Sequence, residues 1–505
     1  LRTLAPRQWL WLALAATLLY RFWLAAAAPV SADEAYFILW GRAPAIGYYD
    51  HPPMVGWILA PLAALAALSE PAWLMRLPAV LVPPLAALMV RAALLRWYRP
   101  DPARSEDTAD LAALAVLLLP ASAWSVLITT DAPLALFSLA SLQVFARAAQ
   151  SDSGRLFLAS GFLLGLAFLS KYLAVLLGLA YLVWSVSWKK SRPALLVLLG
   201  ALPAGLLNLY WNYEACWCNV MFNAVNRHGG EDSGWSLATP ALYAASLAYL
   251  AAPLLWIAWR GRARLRAAWR RPAERALLLA WLVPFAVLAA VSPLKRVGLH
   301  WLLSFLPALV LSAALALDRG ALRWSVRFLA ALTVLHVAAI LAIAALPVDA
   351  WQSSRFYARL VFPGRVAELA AAVAPDRAGM ALATDSYASA ALLEYHWREP
   401  VAVFGRGASH ARQDDIDTDW RSLAGKDLLV LRRDPPLIQD YAPYFQSLEV
   451  KRVPLGSGGY HAILGRGFNY PAYRAGVLAD IRDRYYRVPP WLPVGRCFFF
   501  ERYFP

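Results

Sequence analysis

Asp33 is a carboxylate with very little chain between it and a long apolar run. Residues 8–28 are almost wholly apolar, and Ala32-Asp33-Glu34-Ala35-Tyr36 follows after a short tether. A carboxylate held at a membrane surface can take a proton from an attacking hydroxyl. The competing roles are a helix N-cap and a solvated loop acid. The same loop continues to Gly47-Tyr48-Tyr49-Asp50-His51-Pro52-Pro53, where the proline pair forces an extended turn before the next apolar helix. Other reactive side chains recur at the ends of apolar runs: Thr129, Thr130 and Asp131; Lys171; Asn212, Tyr213 and Glu214; Arg227, His228, Glu231 and Asp232; Lys295, Arg296 and His300.

The elements that must position them are membrane spans. The chain of 505 residues is 60% apolar and 16% charged, with mean hydropathy +0.49. Soluble domains are about 45–50% apolar and about a quarter charged. A purely soluble enzyme, a disordered chain and a fibrous chain are therefore excluded. A spanning helix needs about 20 mainly apolar residues. Runs of that kind fall near 8–28, 72–95, 109–127, 131–147, 155–170, 172–188, 193–210, 240–259, 276–292, 300–317 and 323–346. The expectation is a polytopic α-helical membrane protein with about 11 crossings, as this run list gives. An alternative for residues 1–29 is a cleavable signal peptide, with Arg2 and Arg7, an apolar stretch, and alanines before Pro29.

Lys and Arg in short loops set the orientation. With the N-terminus inside, Arg2 and Arg7, Arg96, Arg99 and Arg104, Arg147 and Arg155, Lys189, Lys190 and Arg192, the run Arg260 to Arg275, and Arg319 and Arg323 are cytoplasmic. Few cations remain outside. The net charge of +16 is then explained by anionic lipid beside cytoplasmic loops, with no nucleic acid as partner. Nearly every polar or ionisable residue named above falls on the outer side. A transporter would place such groups near the midplane. An acid and base cluster at one face suits an enzyme acting on a lipid-borne substrate.

Two parts are expected. Residues 1–346 form the membrane domain, including a first outer loop at 29–71. Residues 347–505 form a soluble α/β domain, by parity on the outer side. In that domain, strand-length apolar runs at 379–384, 400–404, 427–432 and 460–465 interleave with a helix-length run at 386–397. Three cysteines, Cys216, Cys218 and Cys497, are too few for a disulfide framework. Either of the first two could reach Cys497 in an oxidising compartment, and the sequence leaves this open.

Several short motifs resemble a known family. D-E-A-Y at 33–36, G-Y-Y-D-H-P-P-M at 47–54, T-T-D-A-P at 129–133, S-K-Y at 170–172, N-x-x-W-N-Y-E at 208–214, N-R-H-G-G at 226–230 and K-R-V-G-L-H-W at 295–301 are similar to those of bacterial GT-C glycosyltransferases. These are the enzymes related to dolichyl-phosphate-mannose protein mannosyltransferases and to the lipid A aminoarabinose transferase. The resemblance covers most of the membrane part. It fades in the C-terminal domain, where T-D-S-Y at 384–387 carries it.

The resemblance implies an inverting transfer of a sugar from a polyprenyl-phosphate carrier, such as undecaprenyl phosphate, to an acceptor hydroxyl. The acceptor could be a lipid, a protein or a glycan, reached from the periplasmic side of a bacterial inner membrane. Such enzymes need no nucleotide sugar, and the chain has no nucleotide-binding glycine-rich signature. Asp33 matches the family's acid-base residue, with Glu34 beside it, and Asp131 matches a second family acid. The leaving phosphate calls for positive charge, which Lys171, Lys295, Arg296 and His300 can supply. Tyr36, Tyr49, Asp50, His51, Tyr213 and Glu214 are candidates for contacting substrate. Some relatives hold a divalent metal ion between the first loop and a later one, and Asp50 and His228 match those regions. The aminoarabinose branch has Glu-Lys where this chain has Asp50-His51, a departure that bears on both metal binding and sugar preference. The competing functions are an oligosaccharide ligase or polymerase and, from a different class, a lipid-carrier transporter or flippase.

Overall fold

The structure is a computed structural model that describes residues 4–66, 71–97, 102–226, 236–316, 319–351, 357–408, 412–455 and 458–505. It divides into two compact units. One comprises Leu1–Ala28, Leu68–Leu207 and Glu231–Ile343; the other comprises Pro29–Ala67, Asn208–Gly230 and Ala344–Pro505.

The first unit is helical. Among the described residues, seven helices are long and apolar enough to cross a membrane: Pro6–Ala27, Ala72–Arg96, Asp131–Ser151, Ser191–Glu214, Ala238–Trp256, Pro272–Val291 and Arg319–Ala345. The other four of the 11 apolar runs form helices of 17 residues or fewer. Residues 155–170, 172–188 and 300–317 appear as Gly154–Ser170, Tyr172–Ser187 and Leu299–Leu315. The run at 109–127 is broken into Pro102–Leu117 and Pro120–Trp124. The reasons are local. Pro120 lacks the amide that would continue the preceding helix. Lys171 takes an extended conformation between two helices, at φ −162° and ψ 138°.

Close backbone approach organises part of this unit. A Cβ on Gly161 would collide with the Val197 carbonyl, and one on Gly200 with the Leu158 carbonyl. Gly154–Ser170 and Ser191–Glu214 therefore cross with their main chains in contact, which small residues permit. The sequence gives no warning of a second feature. Arg21, inside the first apolar helix, is 1% exposed. Its guanidinium donates to the carbonyls of Ala79 (2.7 Å), Val80 (3.0 Å), Ser125 (2.9 Å) and Ser122. Two of these acceptors flank the break around Trp124, where helical partners are lost.

The second unit contains a five-stranded sheet in the order β2-β1-β3-β5-β4. The strands are β1 (Ala381–Thr384), β2 (Val401–Val403), β3 (Leu428–Arg432), β4 (Ser447–Leu455) and β5 (Gly458–Arg466). β1 runs parallel to β2 and β3, and β5 runs antiparallel to β3 and β4. Helix Tyr387–Trp397 makes the crossover from β1 to β2. Four strands and this helix coincide with the apolar runs read from sequence. β4 was not anticipated. It is an edge strand with charged, exposed positions, so it carries no apolar run to find.

The loop at 29–67 packs in this unit with the sheet domain, although the sequence reading placed it with the membrane part. Residues 208–226 do the same. Cys216 is bonded to Cys497. Around that bond Gly495 N donates to Tyr213 O (3.1 Å) and Trp217 Nε1 donates to Pro493 O (2.8 Å). Cys218 is buried and free.

Candidate active site

Helix Ala32–Arg42 is started by a capping box. Ser31 Oγ accepts from the Glu34 amide (3.3 Å), and Glu34 Oε2 accepts from the Ser31 amide and hydroxyl (both 3.0 Å). Glu34 is 1% exposed. These reciprocal bonds fix the turn that carries Asp33. Asp33 lies in that first turn, where a negative charge suits the helix dipole. It is exposed, and its Oδ1 accepts from Tyr387 Oη at 3.2 Å.

The opposite face of the helix is buried through Tyr36, Phe37, Ile38 and Trp40. Tyr36 Oη donates to Asp50 Oδ1 (3.0 Å) and accepts from the Gln413 amide (3.3 Å). Burial, then the charges of Asp50 and Asp414, push the Tyr36 hydroxyl well above its ordinary range, so it remains a donor. His51 Nε2 stands 3.7 Å from Asp50 Oδ2. Tyr48 stacks on Trp40 with centroids 4.1 Å apart and donates to the Trp40 carbonyl at 3.0 Å. A Cβ at Gly56 would strike the Tyr48 hydroxyl, which accounts for a glycine after the proline pair. Tyr49 is wholly buried, and its amide donates to Gln413 Oε1 (2.9 Å). It packs with Phe222 and Tyr486. Tyr213 is exposed and Glu214 half-buried at the end of Ser191–Glu214.

In the helical unit, Asp131 opens helix Asp131–Ser151 and Lys171 follows the end of Gly154–Ser170. The two helices pack as neighbours, so the start of one meets the end of the other. Lys171 Nζ donates to both Asp131 oxygens at 2.8 Å, with the side chains 15% and 12% exposed. The sequence reading named both residues without pairing them. Lys295 is half-buried, and Arg296 and His300 are exposed, on the segment between Pro272–Val291 and the turn at Leu299–Phe305. Asp33 and Lys171 belong to different units.

His228 lies outside the described residues, as do Arg227, Glu231 and Asp232. Among the described residues no group of three or more His, Cys, Asp or Glu side chains could hold a metal ion. One Asp50 oxygen is also committed to Tyr36. The pairing of Asp50 with His228 around a metal ion therefore falls outside the described residues.

Comparison with known proteins bears on the class of fold first. The chain superposes on the crystal structure of ArnT from Cupriavidus metallidurans bound to undecaprenyl phosphate with a TM-score of 0.62, at 18% identity, over 90% of this chain and 98% of that one. The apo structure of the same protein gives 0.60 at 17% identity. The fold is thus the GT-C architecture that the motifs resemble. Residues 50–211 match the family model described as dolichyl-phosphate-mannose-protein mannosyltransferase. A lipid A galacturonosyltransferase of Rhizobium johnstonii, RgtD, is 27% identical over 208 residues, which is 40% of this chain. The match spans 41% of that relative's length. Together these comparisons indicate the GT-C glycosyltransferase family.

Proposed function

We propose that this protein is an integral membrane glycosyltransferase. It moves a sugar from a polyprenyl-phosphate carrier, undecaprenyl phosphate in a bacterium, to an acceptor hydroxyl on the outer face of the membrane. The observation that carries the reading is Asp33: an exposed carboxylate, fixed in a capped helical turn shortly after a membrane span, in a chain of ArnT-like fold. ArnT holding undecaprenyl phosphate, and the lipid A specificity in the name of RgtD, support the donor class and a lipid or glycan acceptor.

The acceptor oxygen attacks the anomeric carbon while Asp33 takes its proton. The bond from that carbon to the phosphate oxygen breaks, its electron pair leaves with the lipid phosphate, and the configuration inverts. No general acid is needed for such a leaving group. Lys171, Lys295, Arg296 and His300 stabilise the phosphate charge, which grows in the transition state. Asp131 orients Lys171. Residues 1–346 with the first loop supply the catalytic domain, and 347–505 lie on the periplasmic side. The Cys216–Cys497 bond supports that side, since disulfides persist in oxidising compartments.

The test uses the purified protein in proteoliposomes, with undecaprenyl-phosphate-linked galacturonic acid or aminoarabinose as donor and lipid A as acceptor. Asp33→Asn should lower transfer by about 10²–10⁴-fold while donor binding survives. Transfer at the wild-type rate in this variant would refute the assignment.

A further inference from the structure

The T-D-S-Y stretch at 384–387 is the one motif of the C-terminal domain that the transfer reaction does not yet use. It ends β1 and begins helix Tyr387–Trp397, with Ser386 Oγ accepting from the Ser389 amide at 3.3 Å as the N-cap. This helix packs along helix Ala32–Arg42 of the first loop. The contacts fix their direction. At one end Tyr387 Oη meets Asp33 Oδ1. At the other, Arg42 donates to the carbonyls of Glu394 (3.3 Å) and Tyr395 (3.2 Å) and sits over the Tyr395 ring. The helices therefore run parallel, with their N-termini together at Asp33.

We infer that Tyr387 is a positioning residue for the transfer: its hydroxyl holds one oxygen of Asp33 and leaves the other directed to the acceptor proton. This rests on the reading of Asp33 as the base. The geometry is held on three sides. The Tyr387 ring lies edge-on to Tyr36, 5.6 Å between centroids at 66°, and Tyr36 is itself fixed by Asp50 and Gln413. The N-cap of Ser386 sets the backbone from which Tyr387 projects. Arg42 blocks the two helices from sliding past each other. Among the described residues, Asp33 Oδ2 accepts no hydrogen bond, so it is the oxygen that remains for chemistry. Burial and the neighbouring carboxylate raise the Tyr387 hydroxyl above its ordinary range, which keeps it protonated and donating.

A carboxylate on a free side chain samples several rotamers, and only some aim an oxygen at the acceptor. A single hydrogen bond from a packed ring selects among them. The sheet domain is then a contributor to the reaction rather than a bystander, because the tyrosine comes from it.

The test is Tyr387→Phe in the full-length protein, assayed with the donor and acceptor pair that the wild type turns over. The ring and its packing stay; the donor goes. Thermal stability and the KM for donor should be unchanged, while kcat falls by about 10- to 100-fold, the range of a hydrogen bond to a charged group. In an Asp33→Asn background the same substitution should cost nothing further, because the two act as one unit. A Tyr387→Phe variant with wild-type kcat, or one that raises KM alone, overturns the inference. If Asp33→Asn is inactive and Tyr387→Phe is fully active, the base stands and the tyrosine falls. If Asp33→Asn is itself fully active, the base reading fails and the inference goes with it.

Discussion

The Asp131–Lys171 pair allows stability and catalysis to be separated. At 2.8 Å, and with an effective dielectric constant of about 20, the attraction is about 6 kcal/mol. Much of that is offset by desolvation, since the two side chains are only 12% and 15% exposed. Removing one partner of a buried pair costs about 3–5 kcal/mol, because the other charge is left uncompensated. Asparagine keeps an acceptor, so Asp131→Asn should destabilise the helical unit by about 2–3 kcal/mol. Adding Lys171→Met removes the orphaned charge, and the double variant should return to within about 1 kcal/mol of wild type. Transfer should behave differently. If Lys171 binds the donor phosphate, activity lost in the single variant stays lost in the double. The assay is a thermal melt in nanodiscs beside a transfer assay on the same preparations. A double variant that regains activity along with stability would show that the lysine serves only to satisfy the aspartate. One as unstable as the single variant would show that the pair is not the source of the stability.

Two further expectations concern topology and pH. A reporter fused after residue 346 should be active only in the outer compartment, and cytoplasmic activity would mean that one of the short helical segments does not cross. Asp414 is held above the ordinary carboxylate range, by burial first and by the Asp415 charge second. A raised folded value favours the protonated form. Its contribution to stability is full below the unfolded value of about 4 and is lost as pH rises through the folded value. The sheet domain should therefore weaken between about pH 5 and about pH 8, and Asp414→Asn should flatten part of that slope. An unchanged pH profile of unfolding in the variant would count against the buried carboxyl.

The sequence was most readable where one physical signal acts alone. β1, β2, β3 and β5 are short apolar runs between polar ones, and helix Tyr387–Trp397 is a longer one. The position of Asp33 near a span follows from hydropathy. Contacts set by tertiary packing were not readable. Nothing in spacing joins Tyr387 to Asp33, 354 residues apart, or Lys171 to Asp131 across a helix hairpin. The break at Pro120 inside the run 109–127 was not readable, because hydropathy averages over a break. Glu34 is a different case. The pattern Ser31-x-x-Glu34 is a capping box visible in the sequence, and it was overshadowed by the acid beside it.

Arg21 bears on how the chain enters the bilayer. An arginine at the centre of an isolated spanning helix costs about 2.5–3.5 kcal/mol on insertion scales, an upper bound for Arg21, which lies toward the end of Pro6–Ala27. The four carbonyls that satisfy it belong to residues 79, 80, 122 and 125, which are made later. The first helix therefore reaches the membrane carrying a debt that only its successors settle. Until residue 125 has been made, the segment is poorly held, and a ribosome stalled between the two stretches should leave it prone to slip back or to be removed by quality control. The same arginine later gives the broken helix at Ser122–Ser125 the donors it lacks. Insertion order and the shape of the break are thus tied to one side chain.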